Sequence, residues 1–527
     1  MLNTSIKSRL DRLVAAGQQA LLKGGLKGLE KESLRVTPAG RISQSPHPAG
    51  LGSALKHPHV TTDYSEALLE LITPPFPDPQ DALAFLDGLH RFVYRHIGDE
   101  LLWAASMPCE IDGEASIPVA YYGSSNIGRM KYVYRRGLAW RYGRAMQSIA
   151  GIHYNYSVNE ALWPVLQALS ADVQPLRDFI SGQYFGLTRN IQRHGWLVPY
   201  LFGASPAFCK SFFKGREALA GRFVEWDGAT LSTPCATSLR MSDIGYRNDN
   251  QSGLDISFDN LGEYVASLVK AIRTPVPAYE KIGVKVGDDY QQLSANILQI
   301  SNEYYSPVRP KQIARSCESP TTALKLRGIR YVELRSLDLG PAHPLGLTLG
   351  HMRFLEVFLL CCLLRESPPL STSEKTEIDR NALAVAREGR TPGLLLRRGG
   401  QDVALRDWAK ELAEDLRAVA EILDAGEPSA VYLDSLGPLW DAIDDPEATP
   451  SAKILADMRE TGESFQAYAL RLSARHAESF RSRPLERDKE AAFAREAEKS
   501  LAEQKRTEAS DTLGFDEFLA RYFAEIN

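Results

Sequence analysis

Glu30 and Glu32 open the segment Gly28-Leu29-Glu30-Lys31-Glu32-Ser33-Leu34-Arg35-Val36, and its alternation constrains the fold more than any other stretch of the chain. In a strand, a period of two places Glu30, Glu32, Leu34 and Val36 on one side and Lys31, Ser33 and Arg35 on the other. Two carboxylates then share a face with apolar residues. Turned inward, they need protons, basic side chains or a bound cation, because uncompensated burial of each costs several kcal/mol. A metal-lined cavity meets that need. An exposed strand end, where alternation carries no meaning, is the other reading of this pair taken alone.

Three further segments repeat the pattern. Ala67 to Thr73 reads as a strand apolar on both sides except for Glu70, a sign that it is covered on both faces, and Asp63 just upstream reads as a strand-mouth group or a turn cap. Gly151 to Ser157 aligns His153 with Asn155, opposite Ile152, Tyr154 and Tyr156; His153 alone is as compatible with a structural role as with ligation. Ile329 to Asp338 puts Ile329, Tyr331, Glu333, Arg335 and Leu337 on one side, where Glu333 and Arg335 also read as an internal salt bridge.

Taken together, these strands propose a sheet face bearing Glu30, Glu32, Glu70, His153 and Glu333. Two carboxylates about 5 Å apart repel by roughly 3 kcal/mol at an effective dielectric near 20, so cations or protons must enter. Hard oxygen ligands without thiolates favour magnesium or manganese over structural zinc. Magnesium keeps waters and bridges to phosphate oxygens, which points to a nucleoside triphosphate partner. No GxxxxGK[ST] loop and no strand-linked GxGxxG is present, so neither a P-loop nor a dinucleotide fold is supported. Arg129, Lys131, Arg135 and Arg136 near a glycine-bearing loop, Tyr122 to Arg129, form a set with Arg240, Arg309 and Lys311. Each alone reads as surface; together they suit phosphate and carboxylate groups.

The rest of the chain sets limits. With 61 basic and 66 acidic side chains the formal charge is -5, which excludes a global basic field for nucleic acid or an anionic membrane. The longest apolar run, Val357 to Leu364, falls far short of the roughly 20 residues that span a bilayer. The first 17 residues read as an amphipathic helix rather than a secretion signal, and six scattered cysteines suit reduced thiols in a cytoplasm. Consecutive strand candidates without regular helical crossovers indicate an α+β fold with an antiparallel sheet. A catalytic core over residues 1–347 is expected, with a mainly helical, non-autonomous region over 348–527 in which Glu486 to Ser510 reads as a solvated helix.

Eight segments in collinear order, GLEKESLRV, TTDYSEALLELITP, YGSSNIGRMKYVYRRGL, GIHYNYS, PYLFGASPA, ATSLRMSDIGY, NEYYSPVRPK and YVELRSLDL, closely resemble the proteobacterial type of glutamate-cysteine ligase. The resemblance implies a glutamine-synthetase-like fold, a curved antiparallel sheet forming a funnel that holds magnesium and ATP. It implies metal ligands at Glu30, Glu32, Asp63, Glu70, His153 and Glu333, and phosphoryl contacts from Arg335 and Arg135. Arg240 would hold glutamate, Tyr134, Tyr246 and Tyr305 would line a cysteine pocket, and Asn155 joins the substrate-binding set. Cys109 matches a family cysteine without an inferred partner. The expected activity is ATP-dependent ligation of glutamate to cysteine, the first step of glutathione biosynthesis, by a cytoplasmic monomer with no nucleic-acid or membrane partner.

Overall fold

Seven segments pair into the central sheet: β1 (Leu26–Val36), β2 (Val60–Thr62), β3 (Leu68–Ile72), β4 (Leu101–Leu102), β5 (Ile152–Ser157), β6 (Val308–Lys311) and β7 (Tyr331–Leu337). The computed structural model describes residues 3–245, 254–315 and 318–525. The strand order is β6-β7-β5-β1-β3-β2, with β4 joined to the far end of β1, and every pairing is antiparallel. The long strand β1 sits at the centre because both of its edges are rich in residues that fit a pleated, buried surface, such as Ile152, Tyr154 and Tyr156 on β5 and Leu68, Leu69 and Leu71 on β3. Strand β2 is three residues long, too short to carry a readable alternation.

Register fixes which side chains meet. Glu32 lies opposite Glu70, Glu30 opposite His153, Asn155 opposite Glu333, and Arg309 opposite Glu333 on its other edge. Between β7 and β5 the pairing runs from Leu334↔Tyr154 to Leu337↔Ile152, three residues of β7 against two of β5. This bulge corrects the strict alternation expected for Ile329 to Asp338: Leu337 joins Leu334 on the apolar side, leaving Glu333 and Arg335 on the acidic one.

The apolar side of the sheet is closed by helices. Leu349–Leu364 is buried around nearly its whole circumference, which is why its sequence shows no polar stripe. No helix among the described residues is long and apolar enough to cross a membrane. Its one acid in the buried stretch, Glu356, meets Lys27 of β1 at 2.5 Å, with both side chains at 2% exposure or less, and accepts from Tyr432 Oη at 3.0 Å. Truncating Glu356 to alanine leaves the Lys27 ammonium buried without its counter-charge. A loss of about 3–5 kcal/mol is expected in denaturant unfolding, and the paired change Lys27→Met with Glu356→Leu is expected to recover most of it.

Two segments depart from their sequence reading. The glycine-bearing stretch Tyr122 to Arg129 is a loop only to Ser125; that residue caps the helix Asn126–Tyr142, its Oγ accepting from Gly128 N at 3.2 Å. Arg487–Ser510 is not solvated on all sides, because Phe493, Ala497 and Ser500, at i, i+4 and i+7, form a buried stripe. Phe493 meets Phe85 and Phe92 at 5.5 Å each, and Gly52, at φ 81°, lets the backbone approach Ala497 where a Cβ would stand 2.8 Å from its Cα.

Candidate active site

The acidic face gathers around one imidazole. His153 Nδ1 lies 3.0 Å from Glu30 Oε2 and 3.7 Å from Glu333 Oε1, while Nε2 lies 3.6 Å from Glu32 Oε1. Glu32 and Glu333 side chains are 1% and 2% exposed, whereas Glu30, at 19%, reaches the open side. Asn155 Nδ2 donates to Glu30 Oε1 at 2.9 Å, and Glu32 Oε2 accepts from Gly151 N at 2.7 Å. Glu70 faces Glu32 across the β1–β3 pair, and Asp63, one residue past β2, is near enough to raise the pKa of both.

Charge is balanced more fully on one flank than on the other. Burial works against ionisation of Glu333, but Lys311, then Arg335, His153 and Arg309, outweigh it and hold the carboxyl well below the usual range. Lys311 Nζ is 3.3 Å from Glu333 Oε1 and Arg335 sits 3.2 Å from Glu333 Oε2. Glu30 is likewise drawn below the usual range, because the His153 hydrogen bond and the charges of His153 and Lys311 overcome burial and Glu333. On the other flank burial pushes Glu32 up, and it pushes Glu70 far up, reinforced by Glu30, Asp63, Glu32 and Glu333. The excess negative charge there calls for a cation.

The donor set fits a hard divalent ion. Ligand atoms of Glu30, His153 and Glu333 all lie within 4.8 Å of one another. Among the described residues, His153 Nε2 is buried without a hydrogen-bond partner and lies 3.6 Å from Glu32 Oε1, open to a cation. Carboxylate oxygens with a single imidazole match magnesium or manganese.

A cationic rim stands over this floor. Arg335 and Lys311 come from the sheet; Lys131 and Arg135, one turn apart on Asn126–Tyr142, come from above. Arg135 Nε donates to the Asp63 carbonyl. The other two arginines of that segment point elsewhere: Arg129 stacks 4.4 Å over Phe515 and Arg136 donates to Gln291 Oε1 at 2.9 Å. Helical periodicity separates the two sets, which a loop reading conceals.

Arg240 is wholly buried. Its NH2 donates to the Arg335 carbonyl at 2.9 Å, and its NH1 lies 3.7 Å from Asp338, whose oxygens also accept from Ala204 N, Ser205 Oγ and Ser238 Oγ. Its charge reaches Glu32. Asp338 escaped sequence reasoning because all these partners are distant in the chain. Tyr134 and Tyr305 sit on segments clamped by the buried pair Arg141–Glu303 at 2.8 Å; Gln299 Nε2 donates to Tyr134 O at 3.2 Å and Gln147 Nε2 to Tyr305 Oη at 2.8 Å. Tyr246 lies outside the described residues.

In this α+β fold an antiparallel sheet gathers carboxylates under a rim of arginine and lysine, a site built to hold a triphosphate through a divalent ion. The family model described as glutamate-cysteine ligase matches residues 10–385. The chain is 49% identical over 524 residues to the glutamate-cysteine ligase of Alcanivorax borkumensis, covering 98% of this chain and 99% of that protein. It is 50% identical over 521 residues to that of Pseudomonas paraeruginosa, covering 99% and 98%. Among solved structures, the Francisella tularensis glutamate-cysteine ligase in complex with AMP aligns with a TM-score of 0.89 at 37% identity, over 95% of this chain and 98% of that one. A bifunctional glutathione synthetase from Pasteurella multocida aligns at 0.70 and 26% identity, over 91% of this chain and 55% of that one. The chain belongs to the glutamate-cysteine ligase family.

Proposed function

We propose that the protein ligates the γ-carboxylate of L-glutamate to the amine of L-cysteine at the expense of ATP, giving γ-glutamylcysteine, ADP and phosphate, and that it works as a monomer with magnesium or manganese. The observation that carries the reading is the cluster of Glu30, His153 and Glu333 with Arg335 resting on Glu333.

A carboxylate is a poor acyl donor because oxide would have to leave. The γ-carboxylate therefore attacks the terminal phosphorus of ATP, ADP departs, and the resulting γ-glutamyl phosphate accepts the cysteine amine with loss of phosphate. When bound by Glu30, Glu32, Asp63, Glu70, His153 and Glu333, the divalent ion neutralises charge on the phosphate oxygens. Arg335 and Arg135 offer forked donors to the transferring phosphoryl group, where charge on its oxygens must be balanced. Lys311 and Arg309 keep Glu333 ionised. Arg240 holds the glutamate, Asn155 orients Glu30 on the substrate side, and Tyr134 and Tyr305 line the cysteine pocket. Water has to be kept from the acyl phosphate, which it would otherwise hydrolyse.

The deciding experiment incubates the protein with ATP, glutamate and cysteine, and separately with aspartate or serine in place of each. Equimolar γ-glutamylcysteine, ADP and phosphate are expected with glutamate and cysteine. A phosphorylated acceptor without an amide would instead identify a phosphotransferase.

Gly151 supplies a local check. A Cβ built there would stand 2.0 Å from Arg240 NH2, and that guanidinium has little room to retreat because Asp338 and the Arg335 carbonyl hold it. Gly151→Ala is expected to lower kcat/KM for glutamate by about 10²-fold, read in the same assay.

A further inference from the structure

Tyr122 lies just before the helix that carries Arg135 and is 1% exposed. Its Oη stands 2.7 Å from Thr62 O and 2.9 Å from Asp63 O, donating one proton between them, and accepts from Thr62 Oγ1 at 3.1 Å. The ring is thereby pinned to the end of β2, beside the acid floor. Two cations face it: the Arg135 guanidinium centre is 4.5 Å from the ring centre and the Lys131 ammonium 5.0 Å.

Like charges one helical turn apart repel, and the electron-rich face of a phenol ring offsets that repulsion. Arg135 is oriented further by donating Nε to Asp63 O and NH1 to Lys131 O at 3.1 Å. Lys131 has no carboxylate within ion-pair distance among the described residues, although the Glu70 charge reaches it. The close seating of loop on helix depends on Gly128, where a Cβ would stand 2.4 Å from Tyr122 O.

We infer that Tyr122 is a positioning residue whose ring holds Lys131 and Arg135 together as a cationic clamp over the acid floor, with Lys131 touching the phosphate chain of ATP beside Arg135. The inference rests on the phosphoryl-transfer reading above. Phenylalanine keeps the ring face and loses only the hydroxyl; leucine removes the face.

The test measures steady-state kinetics and unfolding midpoints of the full chain for Tyr122→Phe, Tyr122→Leu, Arg135→Ala, Lys131→Met, and Tyr122→Leu placed in each of the last two. Tyr122→Phe is expected to stay within about threefold of wild type, whereas Tyr122→Leu loses about 30-fold in kcat/KM for ATP with KM for cysteine unchanged. Lys131→Met alone is expected to raise KM for ATP. The cost of Tyr122→Leu is expected to shrink to about half on a logarithmic scale in either cation-deleted background. Equal losses in Tyr122→Phe and Tyr122→Leu, an undiminished cost in both backgrounds, or a lowered midpoint without the split between ATP and cysteine would overturn the inference. Near-normal turnover of Arg135→Ala would remove Arg135 from phosphoryl transfer and with it the clamp, whereas absence of ADP and γ-glutamylcysteine from the wild-type assay would overturn the phosphoryl reading without any change at Tyr122.

Discussion

Arg335→Ala is expected to lower turnover by about 10³-fold in the ligation assay, the scale on which arginines that stabilise phosphoryl transfer act. The guanidinium lies at the open side of the sheet, 15% exposed, and its contact to Glu333 at 3.2 Å aims it across the cluster rather than into a packed core. Its removal therefore costs little stability, and the unfolding midpoint is expected to move by only a few degrees. Arg335→Lys restores the charge without the planar fork, so recovery is expected to be partial. Turnover of Arg335→Ala close to wild type would remove Arg335 from the reaction.

Stripping divalent ions is expected to abolish ligation altogether, and adding magnesium or manganese to excess to restore it. The reason lies in the uneven charge of the floor. Glu333 and Glu30 are drawn below the usual range by Lys311, Arg335 and His153, whereas burial outweighs the cations near Glu32, and burial plus repulsion from Glu30, Asp63, Glu32 and Glu333 hold Glu70 far from its ordinary ionisation. A triphosphate brings more negative charge to the same place, so without a divalent ion it is repelled by the residues meant to receive it. Activity that survives a chelator at millimolar excess would contradict this account.

Much of the floor was legible in the sequence because strand periodicity is short and strict. Glu30 and Glu32, Glu70 and Glu333 each stand out as polar residues among apolar ones on a strand face, His153 shares a polar face with Asn155, and antiparallel register brings these faces together. The bulge after Leu334 was not legible, since it depends on how β7 meets β5 and not on either strand alone. The rim was legible only in part. Reading Ser125 as a helix cap would have placed Lys131 and Arg135 on one face and Arg129 and Arg136 on another, but glycines at 123 and 128 suggested a loop. The Arg240–Asp338 contact and the Lys27–Glu356 pair join residues far apart in the chain, where local pattern has nothing to say.

The most direct test of the acid floor is a titration of metal-free protein with Mn²⁺, with free ion read by electron paramagnetic resonance, in wild type, Glu30→Gln and Glu333→Gln. Both substitutions keep shape and remove one anionic ligand, so each is expected to weaken Mn²⁺ binding by about tenfold or more. Unaltered affinity in both variants would show that the clustered carboxylates do not hold the cation.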